Sequence, residues 1–244
     1  MEVLVLVAFF FTSPGDSLFK EGDFFNAISE YKRELYFAAS DSNLLLRKIA
    51  LCYVKRGMFE DAASYYSDIL YENSSSEIQM LFAICLINLK KYDEAYLVVE
   101  DFTDSLSRIL LSIASALGGN YSEAFQILDS LKLEHPKYFS LNKLTTLTKI
   151  VPGLGLVFLG DFPLFIGTLA LNGLGVYLIY YYLKRGLLYE AIFTGYPIIE
   201  RFYLGGIRNT KVKYRLYYDN FFKSLLKQLS YELVRREEAF LFNR

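Results

Sequence analysis

Tryptophan is absent from this 244-residue chain, which carries one histidine, two cysteines and five prolines. His135, Cys52 and Cys85 leave too few ligands for a metal centre, and none is expected. The same scarcity restricts acid–base chemistry. No Gly-x-Ser-x-Gly, His-Glu-x-x-His or Cys-x-x-Cys occurs, so the sequence argues against an enzyme. Gly153 and Gly155 mimic a glycine loop, but no Lys-Ser pair follows and the surroundings are apolar, which excludes a phosphate cradle and leaves no cofactor to expect. Charge of either sign is not in excess: 26 basic and 27 acidic residues give a net charge of −1, so there is no electrostatic case for nucleic acid.

What is present is repetition. Gly-Asp-Phe-Phe-Asn-Ala at 22–27 recurs as Gly-Met-Phe-Glu-Asp-Ala at 57–62, Lys-Lys-Tyr-Asp-Glu-Ala at 90–95 and Gly-Asn-Tyr-Ser-Glu-Ala at 119–124. The copies start 35, 33 and 29 residues apart, the period of stacked helical pairs. Each keeps an aromatic at its third place (Phe24, Phe59, Tyr92, Tyr121) and an alanine at its sixth (Ala27, Ala62, Ala95, Ala124). Apolar residues at helical spacing flank each phrase, as with Ala50, Tyr53 and Val54 before the second copy and Ala62, Tyr66 and Ile69 within and after it. The phrase therefore reads as a turn between two helices: a glycine ends the first, the alanine lets the second approach closely, and the aromatic fills the wedge between them. Cys52 and Cys85 each stand five residues before a phrase; they could meet in the stack, but they read better as small buried packing residues.

Pattern and period resemble the tetratricopeptide repeat family. Gly57, Phe59, Ala62 and Tyr66 match its turn and second helix, Ala50 and Tyr53 its first helix, and Pro136 its terminal proline. Lys90 departs from the turn glycine, Ser112 and Ser115 from the first-helix residues of the fourth copy, and the first copy has little room for a first helix. The resemblance covers about 16–140. It implies a concave groove for a protein or peptide partner, with Arg47, Lys48, Lys55, Gln79 and Asn88 on the first helices as candidate groove residues, against the alternative that they are ordinary solvated surface.

Past residue 150 the character changes. Residues 163–183 run without a formal charge, and at 1.5 Å per residue this covers roughly 30 Å, the thickness of a bilayer's hydrocarbon core. Tyr177, Tyr180, Tyr181 and Tyr182, then Lys184 and Arg185, have the order of an interfacial belt and anchor. The following stretch, 187–207, carries Glu190, Glu200, Arg201 and Pro197, so it reads either as a second, kinked span or as an interfacial helix. Asn172 and Asp161 are candidate polar contacts inside such a hairpin, with a turn or capping role the alternative for Asp161. Pro-Gly-Leu-Gly at 152–155 with Gly160 resembles the Pro-Gly-x-Gly signature of short two-helix membrane modules, although Leu156 and Phe158 depart from it. Combined with the repeats, that resemblance implies a bacterial envelope protein.

The expected architecture is all-α: a possible signal peptide or apolar segment at 1–15, a tetratricopeptide-type helical solenoid at 16–145, a transmembrane helical hairpin at 146–210, and a basic, aromatic tail helix at 211–244. The expected function is a non-enzymatic scaffold at the bacterial inner membrane. Its repeats would dock a protein and face the periplasm, or the cytoplasm in the alternative topology. An intramembrane role in transport or membrane-protein assembly, with the repeats regulatory, is the competing expectation.

Overall fold

The computed structural model describes residues 13–37, 42–72 and 75–242. Over these residues the fold is all-α, a helical solenoid followed by longer helices, with no strand among the described residues. The apolar run at 3–11 lies outside them. The chain forms two compact units, one of residues up to Leu133 together with those from Phe222 onward, the other of Glu134–Phe221.

In the first unit the helices pair in sequence order: α1 (Pro14–Glu21) with α2 (Phe24–Phe37), α3 (Ser42–Lys55) with α4 (Phe59–Glu72), α5 (Ser76–Asn88) with α6 (Tyr92–Val99), and α7 (Ser105–Leu117) with α8 (Tyr121–Ser130). The scant room before the first phrase yields an eight-residue α1 opened by Pro14, where a missing N–H costs nothing. Each inter-helix turn closes in the same way. The amide at the second place of the phrase donates back across the turn: Asp23 to Leu18, Met58 to Tyr53, Lys91 to Leu86 and Asn120 to Ser115, each at 2.9 Å. This Schellman closure needs one left-handed residue before it, supplied by Gly22, Gly57 and Gly119. The alanines that follow are fully buried, and Ile49, Ile69, Leu110 and Ile113 complete the interior between helices.

Lys90 takes the glycine position of the third turn at φ 63°, and a side chain there crowds its own backbone. Lys90→Gly is accordingly expected to stabilise the unit by about 1 kcal/mol, read as a rise in Tm, whereas Gly57→Ala at φ 72° lowers it. An unchanged or reduced Tm for Lys90→Gly would show that the turn carries no strain.

The second unit is built around a threonine–glycine junction. α9 (Leu141–Ile150) and the short α10 (Leu154–Phe158) lead into α11 (Phe162–Lys184). Gly155 presents its N–H to Thr148 Oγ1 at 3.0 Å, and that hydroxyl lies 3.0 Å from Thr210 Oγ1. A Cβ on Gly155 would lie 2.6 Å from the Leu144 carbonyl oxygen, so only glycine fits. Asp161 is the N-cap of α11, accepting from the Leu164 amide at 3.2 Å, and also pairs with Lys213 at 2.8 Å. The capping alternative therefore describes its position, with an ion pair added.

After α11 the chain turns at Gly186, passes through Leu188–Glu190 and a wide helical turn at Ala191–Gly195, and enters α12 (Tyr196–Phe242). α11 and the returning segment run antiparallel in contact, with Gly175 beneath Ile198 and Ile199, Gly195 beneath Ile179, and Gly206 against Thr168. Pro197 is the second residue of α12 and directly follows the wide turn at Ala191–Gly195, so the donor it lacks falls where the helical repeat is already widened. The tail helix expected at 211–244 is, up to Phe242, the later part of this 47-residue helix, since no proline interrupts it after its first turn.

Candidate protein-docking face

The candidate groove residues Arg47, Lys48 and Lys55 lie on α3, the first helix of the second pair. Their partners come from both ends of the chain. Arg47 makes a bidentate pair with Glu237, Nε to Oε1 at 2.8 Å and Nη2 to Oε2 at 2.6 Å, with the carboxylate side chain 1% exposed and the guanidinium side chain 11%. The fork geometry matches both oxygens at once, the strongest arrangement available to such a pair. Lys55 pairs with Glu238.

Lys48 is buried and directs Nζ at both oxygens of Asp16, at 2.7 and 2.9 Å. The Tyr31 hydroxyl donates to the same carboxylate at 2.8 Å. Burial, and then this bond to Asp16, push the Tyr31 phenol above its usual range, so it remains a donor. The ammonium of Lys48 also stands 5.2 Å from the centre of the Phe242 ring.

These contacts are the start of a longer one. From Phe222 onward α12 buries Phe222, Leu226, Leu229, Leu233, Glu237 and Leu241, three or four residues apart along one stripe. Phe222 meets Phe125 of α8 edge-on at 5.3 Å. At the other end Phe242 stacks on Phe19 of α1 at 4.4 Å, and the Arg47 guanidinium lies 4.3 Å from the Phe240 ring centre. The segment thus runs from the last helical pair back to the first.

The remaining sequence candidates have other surroundings. Gln79 is half-buried on α5, and Asn88 is exposed with its Nδ2 donating to the Ile84 carbonyl at 2.8 Å. In the second unit Asn172 is buried; its Nδ2 donates to the Thr168 carbonyl at 2.7 Å, while its Oδ1 has no hydrogen-bond partner. Glu190, Glu200 and Arg201 are exposed. Because Gly175 packs against Ile199, Glu200 and Arg201 stand level with the middle of α11.

Cys52 and Cys85 are both free and buried, and burial pushes each thiol up to about 12. They are protonated packing residues at neutral pH, as the sequence reading preferred. No cluster of potential metal ligands occurs among the described residues.

Asp16, Glu237, Glu238, Phe240 and Phe242 do not appear among the sequence candidates. One signal was available: Glu237 interrupts the apolar stripe of the tail, with Leu233, Val234, Phe240 and Leu241 at helical spacing on either side of it. A glutamate there requires a buried cation opposite it.

Stacked helical pairs with identical Schellman turns and fully buried alanines form a tetratricopeptide-like helical solenoid, and repeats of that kind generally bind other proteins. The chain is similar over residues 20–102 to a tetratricopeptide-like repeat family described as anaphase-promoting complex, cyclosome, subunit 3. The match takes in the first three phrases, including the one in which Lys90 replaces glycine. No curated protein matches the chain.

Proposed function

We propose that this chain is a non-enzymatic scaffold, held in a membrane by the α11 hairpin, whose repeats dock a protein partner. The supporting observation is the outer surface of that hairpin. α11 is 23 residues long; its most apolar 18-residue window has a mean hydropathy of 1.7 and is only 17% buried, unlike the core helix of a water-soluble domain. Ile166, Leu174, Val176, Phe193 and Leu204 all face outward. Exposed apolar side chains at this density mark a surface that lipid or another protein covers. Tyr177, Tyr180, Tyr181 and Arg185 lie toward one end of α11, where a headgroup layer would meet them. The signature resemblance extends this reading to the inner membrane of a bacterial envelope, with the repeats on the periplasmic side.

A second reading, in which the hairpin acts within the bilayer and the repeats regulate it, draws on Glu200, Arg201 and the unpartnered Oδ1 of Asn172. Two outward charges level with the middle of α11 are costly in lipid and need a polar neighbour there.

Alkaline carbonate treatment of membranes carrying the full chain, with cysteine labelling at positions 100, 186 and 240, tests the anchoring. Retention in the lipid fraction is expected, with position 186 labelled from one side only; release into the wash overturns it. Affinity capture with the full chain in detergent then separates the readings. A protein bound through the repeats supports the scaffold. Loss of function in Glu200→Gln without loss of that protein supports the intramembrane role.

A further inference from the structure

We propose that the first-helix face of the repeats is a receptor for an amphipathic helix carrying an apolar stripe that ends in a glutamate and two aromatics, and that the chain's own 222–242 segment keeps this receptor closed. The proposal rests on the docking reading of the repeats and supplies its regulation and the chemistry of its partner.

The contact has the composition of recognition. A helix recruited only to complete a core would bury leucine at position 237, where an ion pair gains little over an apolar residue of similar size. Here Glu237 is 2% exposed and meets Arg47 in fork geometry, an arrangement that fixes register and rejects helices lacking the carboxylate. The apolar stripe at Phe222, Leu226, Leu229 and Leu233 supplies anchors at the spacing of helix-in-groove binding. The aromatic end is equally specific: Phe240 lies beneath the Arg47 guanidinium, and Phe242 stacks on Phe19 beside the Lys48 ammonium. Lys48 is held in place from behind by Asp16. Arg47, Lys48 and Lys55 are each engaged by the segment or by Asp16, so a partner helix of the same chemistry reaches them only after the segment leaves. The closed state lowers the apparent affinity for such a partner by the fraction of time the face is open.

The test uses the full chain in detergent and a fluorescent synthetic peptide of residues 220–242 as probe, read by fluorescence anisotropy. Wild type is expected to bind the peptide weakly. Glu237→Arg places two cations together and opens the face, so the wild-type peptide binds at least about tenfold tighter. The same variant protein is expected to reject a peptide that itself carries Glu237→Arg.

Glu238→Arg provides a second variant, because its partner Lys55 is at the part-exposed edge and the substitution leaves the interior intact. It should tighten peptide binding about threefold. The proposal is overturned if neither protein variant binds more tightly than wild type, or if the two peptides bind alike. If the peptide behaves as expected and the opened chain captures no other protein, the receptor stands and the scaffold reading falls. If the chain captures a protein while the peptide fails to bind the opened variants, the scaffold stands and this inference falls.

Discussion

Replacing Glu237 by alanine is expected to destabilise the repeat unit by about 3–5 kcal/mol, a loss of roughly 10 °C or more in Tm. The magnitude follows from what remains. The Arg47 side chain is 11% exposed, and without its carboxylate the guanidinium is a buried charge left against the Phe240 ring. Replacing both partners by apolar residues of similar volume, Arg47→Met with Glu237→Leu, should recover most of the loss, because the pair's attraction is largely offset by the cost of removing two charges from water. Thermal melts of wild type, Glu237→Ala and the double variant decide the matter. A Glu237→Ala chain as stable as wild type would show that the ion pair is not buried in solution.

The second large effect is expected at Gly155→Ala. The added methyl would lie 2.5 Å from Thr148 Oγ1, 2.6 Å from the Leu144 carbonyl oxygen and 2.8 Å from Thr210 Cγ2. The carbonyl belongs to a helix backbone and cannot rotate away, so α10 must shift and the bond from the Gly155 amide to Thr148 is lost with it. A cost of at least about 1–3 kcal/mol is expected in a thermal melt of the detergent-solubilised chain. Gly173→Ala on α11 is the control, since a Cβ there meets nothing within 4 Å. Equal melting of the two variants would contradict the close packing of α9, α10 and α12.

The parts of the fold that sequence reveals are those encoded within a few residues. Glycine, aromatic and alanine at fixed offsets specify a left-handed residue, a wedge and a close approach, and the four turns form accordingly. The helix that carries Arg47, Lys48 and Lys55 was also legible, because apolar residues at helical spacing mark the stretch before the second phrase as α3. Their occupants were not. Arg47 and Glu237 are 190 residues apart, and no local pattern records which helix a distant glutamate will meet. The second stretch of the hairpin shows the opposite case. Pro197 reads locally as a disturbance of the helix, and the wide turn at Ala191–Gly195 stands immediately before it. Length was similarly hidden: the change from apolar to basic composition near 210 looks like a boundary, but composition sets what surrounds a helix and does not stop it.

The order of the helices along the chain also sets an order in time. Residues 222–242 leave the ribosome only after the 134–221 segment, whose synthesis takes about 4–18 s at ordinary elongation rates. During that interval the completed repeats present Arg47, Lys48 and the apolar floor around them uncovered. Each newly made molecule therefore passes through a stage in which Arg47 has no Glu237 to meet while the 134–221 segment is still emerging, and a helix that binds in that window does so without having to displace residues 222–242.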